Sequence, residues 1–271
     1  MQKLMGLVRR CVDDYDMIRQ GDKIAVGVSG GKDSLVLLVL LAGLKQYFDK
    51  SYELEAITID MGLGMDYSGI QALCDRLEVP YTIVKTEIAP IIFDYRKEKN
   101  PCSMCSKMRR GALNQAILDR GFNKLALGHH YDDVIETILM GMLWGAQVQT
   151  MMPKLHSTNF PGMELIRPMY LIREDDIKAW RDANDLHFIQ CACRFTDTCT
   201  TCRPNEEAKS KRQQVKQLIR ELKKTNPDVE AHIFRSMENV CLDTVIAYKT
   251  GGRKISFLEN YDKTPENRDT D

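Results

Sequence analysis

Six consecutive residues, Ser29-Gly30-Gly31-Lys32-Asp33-Ser34, are the stretch of the chain best equipped for chemistry. Two glycines let backbone amides come close to a phosphate. A helix starting directly behind them would add the partial positive charge of its N-terminus. Lys32 brings a full positive charge, Ser29 and Ser34 bring hydroxyl donors, and Asp33 is placed to cap the helix. The spacing is not that of a Walker A loop, which needs four residues between its glycine and a terminal Gly-Lys-Ser/Thr. The blander alternative is a strand-to-helix turn with polar caps, which would suffice for a bare Gly-Gly but not for the whole hexapeptide.

A second cluster is Gly128-His129-His130-Tyr131-Asp132-Asp133-Val134-Ile135-Glu136-Thr137. Two adjacent carboxylates at a helix start can hold Mg²⁺ on phosphates or cap the helix. The two histidines have no obvious catalytic partner in the sequence and are expected to shape the loop. The third feature is cysteine. Cys102-Ser-Met-Cys105 stands before Lys107, Arg109 and Arg110, and Cys191, Cys193, Cys199 and Cys202 follow much later. The pair alone is compatible with zinc, a dithiol redox couple, an iron–sulfur cluster or inert buried thiols. Cys11, Cys74 and Cys241 stand singly at apolar positions and are expected in the core.

The elements that must position these groups follow from periodicity. The first twenty residues read as an amphipathic helix ending near Gly21. Strands are expected at Lys23–Val28, Leu54–Asp60, Tyr81–Lys85 and Lys124–Gly128, alternating with helices at Leu35–Leu44, Ser68–Leu77, Cys105–Gly121 and Tyr131–Leu143. That alternation predicts an α/β fold, a parallel sheet with helices on both faces. Beyond about residue 150 the pattern shifts to an extended piece at Leu165–Tyr170 and a helix at Glu174–Asn184. The cysteine-rich stretch comes next, then helices at Glu206–Lys224 and Asp228–Val240. The expected organisation is an N-terminal helix (1–20), a nucleotide-binding domain (21–160), a smaller helical, cysteine-containing part (161–258) and a polar, disordered tail (259–271).

The balance of 38 Lys plus Arg against 38 Asp plus Glu argues against a histone-like polycation or an acidic-tail protein, though local patches still decide nucleic-acid binding. The segment Lys209–Lys224 is such a patch, with seven basic residues and one acidic. It suits contact with the phosphates of a structured RNA, although a solvated helix face is the ordinary explanation of such a run. The apolar run behind Asp33 ends at Lys45, too short for a membrane span, and the N-terminus does not read as a secretory signal. A cytoplasmic protein without membrane contact is expected. The odd number of cysteines, nine, then suits metal or redox chemistry better than a disulfide framework.

Residues 29–34 match the SGGxDS signature of the PP-loop ATP pyrophosphatases, and residues 128–137 resemble the GHxxDDxxET block of their tRNA 2-thiolation branch. Pro101–Gly111 (PCSMCSKMRRG) is similar to the CSLCSRLRRG block of the tRNA 2-thiocytidine synthetases (TtcA), relatives of the TtuA-type thiouridine synthetases. The likeness extends from about Gly21 to Val240. The TtuA type carries zinc-binding C-x-x-C pairs before the glycine loop, where this chain has only Cys11, so the TtcA-like branch is favoured.

The resemblance implies a Rossmann-like PP-loop domain binding ATP and Mg²⁺ through Ser29, Gly30, Gly31, Lys32, Asp33, Ser34, Gly128 and Asp132. Catalytic roles fall to Lys32, Asp33, Asp132 and Arg109. It further implies a 4Fe-4S cluster on Cys102, Cys105 and a third cysteine. Where the family carries its second C-x-x-C, this chain has Cys191-Ala-Cys193 and then a further pair, Cys199-Thr-Thr-Cys202, which could hold zinc, relay persulfide or be idle. Position after the apolar lead-in Phe188-Ile189 selects Cys193, with Cys202 and Cys191 next. The implied reaction is adenylation of a pyrimidine carbonyl oxygen in tRNA, at cytidine 32, and its replacement by sulfur from a persulfide or sulfide carrier, in a homodimer. The alternatives are a tRNA uridine or a small molecule as substrate, a non-catalytic metal- or redox-sensing module on the same fold, and a zinc-stapled form. Anaerobic purification is expected to yield iron and acid-labile sulfide, both lost on Cys105→Ala substitution. Stoichiometric zinc without iron would remove the cluster.

Overall fold

The computed structural model describes residues 1–92, 101–184, 210–259 and 261, with the side chains of 101–103 left aside. The chain falls into two compact units, Met1–Leu218 and Ile219–Asp271. In the first, the order is α1 (Gln2–Asp14), β1 (Asp22–Gly27), α2 (Lys32–Leu44), β2 (Tyr52–Asp60), α3 (Ser68–Arg76), β3 (Tyr81–Lys85) and a single turn α4 (Ile88–Pro90). It continues with α5 (Pro101–Asp119), β4 (Lys124–Ala126), α6 (Tyr131–Gly145), β5 (Lys154–His156), β6 (Glu164–Ile166) and α7 (Glu174–Ala183). Helix α8 (Lys211–Thr225) begins in the first unit and ends in the second. The second unit also holds α9 (Val229–Arg235) and the antiparallel hairpin β7 (Ala247–Thr250) and β8 (Arg253–Ser256).

The six strands of the first unit form one sheet in the order β3-β2-β1-β4-β6-β5. Every pairing is parallel except β5 with β6, so the expected parallel α/β sheet is present with one antiparallel edge strand that periodicity did not reveal. Three residues are too few for a period to show. The sheet also carries the first unit through residue 160 without a break, because β6 pairs with β4 at Lys124–Glu164, Leu125–Leu165 and Ala126–Ile166.

Burial explains the composition of the central elements. Helix α2 buries Leu35, Val36, Leu37, Leu38, Leu40, Leu41 and Leu44, so it is apolar all round and is packed by α1, α7 and β1. Helix α1 stops at Asp14 rather than near Gly21, since Asp16 takes a left-handed φ of 44° and Met17 donates back to the Val12 carbonyl. Met17 and Ile18 are still fully buried, which is why their spacing imitated a longer helix. Helix α9 likewise ends at Arg235, short of Val240. Cys11 and Cys74 lie in the core as expected, but Cys241 is exposed, because the segment around it is not a packed helix. Residues 185–209, with Cys191, Cys193, Cys199 and Cys202, and most of the tail from 259 lie outside the described residues. Among the described residues no helix is long and apolar enough to cross a membrane.

The most deeply buried charged side chain among the described residues lies in the sheet. Lys124 on β4 is 1% exposed, hydrogen-bonds to Glu164 of β6 and lies 3.4 Å from Asp22 of β1. It therefore ties the three central strands across their ladder. Lys124→Ala would leave Asp22 and Glu164 buried without this cation, Glu164 keeping Lys154 at 3.9 Å, and is expected to cost about 3 kcal/mol, measurable as a lowered midpoint in urea.

Candidate functional site

The sheet reverses its strand order at β1, which has β2 on one side and β4 on the other. In open α/β sheets the crevice at such a point, beyond the carboxyl ends of the strands, is where ligands bind. Both motif loops emerge there, Val28–Gly31 after β1 and Leu127–His130 after β4.

The first loop folds through its own side chains. Ser34 Oγ donates to the Gly31 carbonyl (2.9 Å) and accepts from the Ser29 amide (3.1 Å), and Ser29 Oγ accepts from the Gly31 amide (3.4 Å). The two serines thus brace the turn. Gly30 has φ of 80°, a conformation that favours glycine. Gly31 is the N-cap of α2 and supplies no side-chain cap, so the first-turn amides of α2 are not satisfied by a capping side chain. Asp33 does not cap either. Its carboxylate takes the Lys32 ammonium at 2.8 and 3.0 Å.

The second loop lies directly on the first. A Cβ on Gly128 would come within 2.9 Å of the carbonyl carbon and oxygen of Asp33, so only glycine allows this approach. His130 is buried, with its ring 3.9, 3.6 and 3.5 Å from the carboxylates of Asp33, Asp132 and Asp133. Burial alone would lower its pKa, but these three carboxylates raise it above the ordinary value. His129 goes the opposite way: burial, together with Arg167, pushes it down to about 4, and its Nδ1 has no hydrogen-bond partner among the described residues.

Asp132 accepts from Arg173 Nη2 (3.0 Å) and from the Glu174 backbone amide (2.7 Å), which joins the start of α6 to the start of α7. Although burial raises its pKa, His130, the Glu174 amide and Arg173 hold the carboxyl well below the usual range. Asp133 accepts from the His130 amide (3.1 Å) and from Arg212 of α8 (2.5 Å). Arg173, Glu174, Glu136, Arg212 and Lys216 were not singled out as site residues from the sequence. Glu136 is 2% exposed and accepts from Arg212 at 3.0 Å; Lys216 stands 3.6 Å from Glu136 and 3.2 Å from Glu174; Lys32 is 3.2 Å from the other Glu174 oxygen. Burial lifts the Glu136 carboxyl above its ordinary value against the pull of Lys216 and Arg212. The same burial acts on Glu174 but loses to Lys216, Lys32 and Lys178, which bring it down to about 2. A clue was available: Glu136 follows the buried Val134 and Ile135, and an acid on such a stripe needs a cation.

The remaining expected residues are placed less centrally. Arg109 is half-buried on α5 and acts electrostatically on Tyr67, which donates to Asp60; no hydrogen bond joins it to the glycine loop among the described residues. Cys102 and Cys105 occupy positions three apart in the first turns of α5. Cys105 is half-buried against the apolar cluster of Ile59, Met61, Ile88, Ala89 and Ile92. Cys193 and the side chain of Cys102 are outside the described residues, so one of three expected cluster ligands can be placed. Among the described residues no three His, Cys, Asp or Glu groups converge as a metal site. The basic run also divides, since Arg212 and Lys216 turn onto site carboxylates while Lys211 and Arg220 are exposed.

The PP-loop domain family matches residues 4–197. The chain belongs to the PP-loop family, in its tRNA 2-thiolation branch. The tRNA-cytidine(32) 2-sulfurtransferase of Coxiella burnetii is 35% identical over 88% of this chain and 90% of its own length. That of Geobacter sulfurreducens is 35% identical, with the same coverage. Among solved structures, the U34-tRNA thiolase NcsA of Methanococcus maripaludis, with its [4Fe-4S] cluster, superposes with a TM-score of 0.66 at 24% identity, covering 86% of this chain and 76% of that one. The last likeness bears on the fold alone. The PP-loop membership expected from residues 29–34 and 128–137 is borne out.

The opposite shifts of the two histidines give a test. His129 has a depressed pKa, so its contribution to stability is complete above about pH 6.5 and is lost as pH falls towards about 4, where only the unfolded chain takes the proton. A His129→Gln variant escapes that loss. Its stability deficit relative to wild type at pH 7.5 is expected to shrink by up to roughly 3 kcal/mol by pH 4.5, as measured by urea unfolding at both pH values.

Proposed function

We propose that this PP-loop protein is an ATP-dependent tRNA 2-sulfurtransferase acting on cytidine 32. The observation that carries the reading is the seating of Gly128 on the Asp33 backbone at the switch point, with Lys32 at the uncapped start of α2. Backbone amides without capping side chains, a helix N-terminus and one ammonium together form a cradle for polyphosphate. The curated relatives, 35% identical along most of the chain, support the thiolation and the tRNA substrate.

In the proposed reaction the O2 oxygen of the base attacks the α-phosphorus of ATP. The α–β bond breaks, pyrophosphate leaves, and the base is held as an O-adenylate. Sulfide then adds at C2, and AMP departs with the former carbonyl oxygen, leaving C=S. Activation is required because oxide is a poor leaving group and AMP a good one. Lys32 and the amides of the α2 start stabilise the charge that builds on the phosphates. By the family resemblance Asp33 and Asp132 are the carboxylates that would face Mg²⁺ carried in on ATP; without nucleotide they hold Lys32, Arg173 and the Glu174 amide. His130 stands between the three carboxylates, and by analogy with a lysine at the same offset in relatives Arg109 would face the ATP or the target base.

Cys102 and Cys105, with Cys193, would hold the 4Fe-4S cluster, whose chemistry is to offer an iron left open by three protein ligands as a site for sulfide. The placement of the pair in one helix start, with Cys105 against an apolar wall, fits such a group as far as those two positions go. Exposed Lys107, Arg110 and Lys211 supply phosphate contacts for tRNA. A persulfide or sulfide carrier as donor and a homodimer rest on the family resemblance, and a cytoplasmic location on the sequence expectation given above.

Lys32→Ala is expected to lower pyrophosphate release and 2-thiocytidine formation at least roughly 100-fold, the scale of losing one preorganised charge-stabilising donor. Nucleoside analysis of the tRNA product measures it. Full-speed thiolation by the variant would overturn the reading.

A further inference from the structure

The ammonium that should meet ATP is already occupied. Lys32 lies 2.8 Å from Asp33 and 3.2 Å from one oxygen of Glu174. The other Glu174 oxygen faces Lys216 at 3.2 Å, and Lys178, on the more exposed side, shares that oxygen at 3.2 Å. Lys216 in turn approaches the buried Glu136, whose second oxygen is taken by Arg212. Charges of alternating sign therefore run without a gap from α8 through α6 and α7 to the glycine loop.

A polyphosphate can take Lys32 only by drawing it from carboxylates, and the cost depends on how well those carboxylates are otherwise neutralised. With Lys216 in place, Glu174 keeps a cation after Lys32 departs. Without it, Glu174 would face Lys32 with only the half-solvated Lys178 as alternative among the described residues, and its charge would also repel the incoming phosphates. Glu136 would lose one of its two cations in a buried position.

We propose that Lys216 and Arg212 of α8 are positioning residues for the nucleotide: by neutralising Glu174 and Glu136 they let Lys32 exchange a carboxylate for the ATP phosphates. This rests on the ATP reading of the glycine loop. It gives two cations of the basic helix a task in nucleotide binding rather than in contact with RNA. Glu174 becomes the competitor whose grip on Lys32 they set. A merely structural role for Lys216 would predict damage that removing Glu174's charge cannot repair. The proposed role predicts repair.

The test is binding of α,β-methylene-ATP with MgCl2 to the full-length, anaerobically prepared enzyme, alongside steady-state kinetics with ATP and tRNA. Lys216→Met is expected to weaken analogue binding roughly tenfold and to raise the KM for ATP more than it lowers kcat. Lys216→Arg should restore most of the affinity. The double variant Lys216→Met/Glu174→Gln should bind within about threefold of wild type. Unchanged binding by Lys216→Met, or a double variant no tighter than the single one, overturns the proposal. Should Lys216→Met not fold, Glu174→Gln alone decides: equal or tighter analogue binding supports the competition, and weaker binding overturns it. A wild-type enzyme that binds no analogue would instead sink the ATP reading, and this inference with it.

Discussion

The contact on which the site depends is backbone against backbone. The loop after β4 reaches the first turn of α2 so closely that a single methyl group at residue 128 would meet the Asp33 carbonyl at 2.9 Å. Because both loops leave adjacent parallel strands, the register of β1 with β4 at Ile24–Lys124, Ala25–Leu125 and Val26–Ala126 sets how far each projects. Lys124 guards that register by pairing with Asp22 and Glu164 on the two neighbouring strands. The chain is thus consistent across levels: a buried ion pair holds three strands, the strands aim two loops, and the loops meet at one glycine.

Around that contact the protein has gathered carboxylates more densely than a phosphate site would tolerate without compensation. Asp33, Asp132 and Asp133 all approach the His130 ring, and Glu136 and Glu174 stand behind them. They are met by nitrogens from three places in the fold: Lys32 on α2, Arg173 before α7, and Arg212 and Lys216 on α8. Burial opposes the charge on Asp132, Glu136 and Glu174, and these nitrogens work against it. The same pairing makes the site a set of competing acceptors rather than a row of waiting cations, so an anion bound there would have to exchange partners with them.

Much of this was legible from residue order. The glycine loop, the Gly128–Thr137 block and the alternation of strands and helices are local patterns, and the strands and helices carrying them came out within a few residues of their expected positions. Where reading failed, it failed for identifiable reasons. The spacing of Tyr15 and Ile18 extended α1 in the sequence, yet Asp16 with positive φ ends it, because burial of Ile18 does not require helix. β5 and the β7–β8 hairpin are too short for a period to declare itself. Lys209–Lys224 looked like one basic face, but Arg212 and Lys216 are drawn inward by acids far away in sequence.

Sequence alone determined the family and the residues of the two loops, since a strand, a glycine turn and a helix start are patterns local to the chain. It could not determine the partners of the charges. Arg212 finds Glu136 across 76 positions and Asp133 across 79, and Lys216 finds Glu174 across 42. Those pairings exist only once the sheet brings α6, α7 and the start of α8 to the same end, because Coulomb attraction acts through distance in space and is blind to separation along the chain.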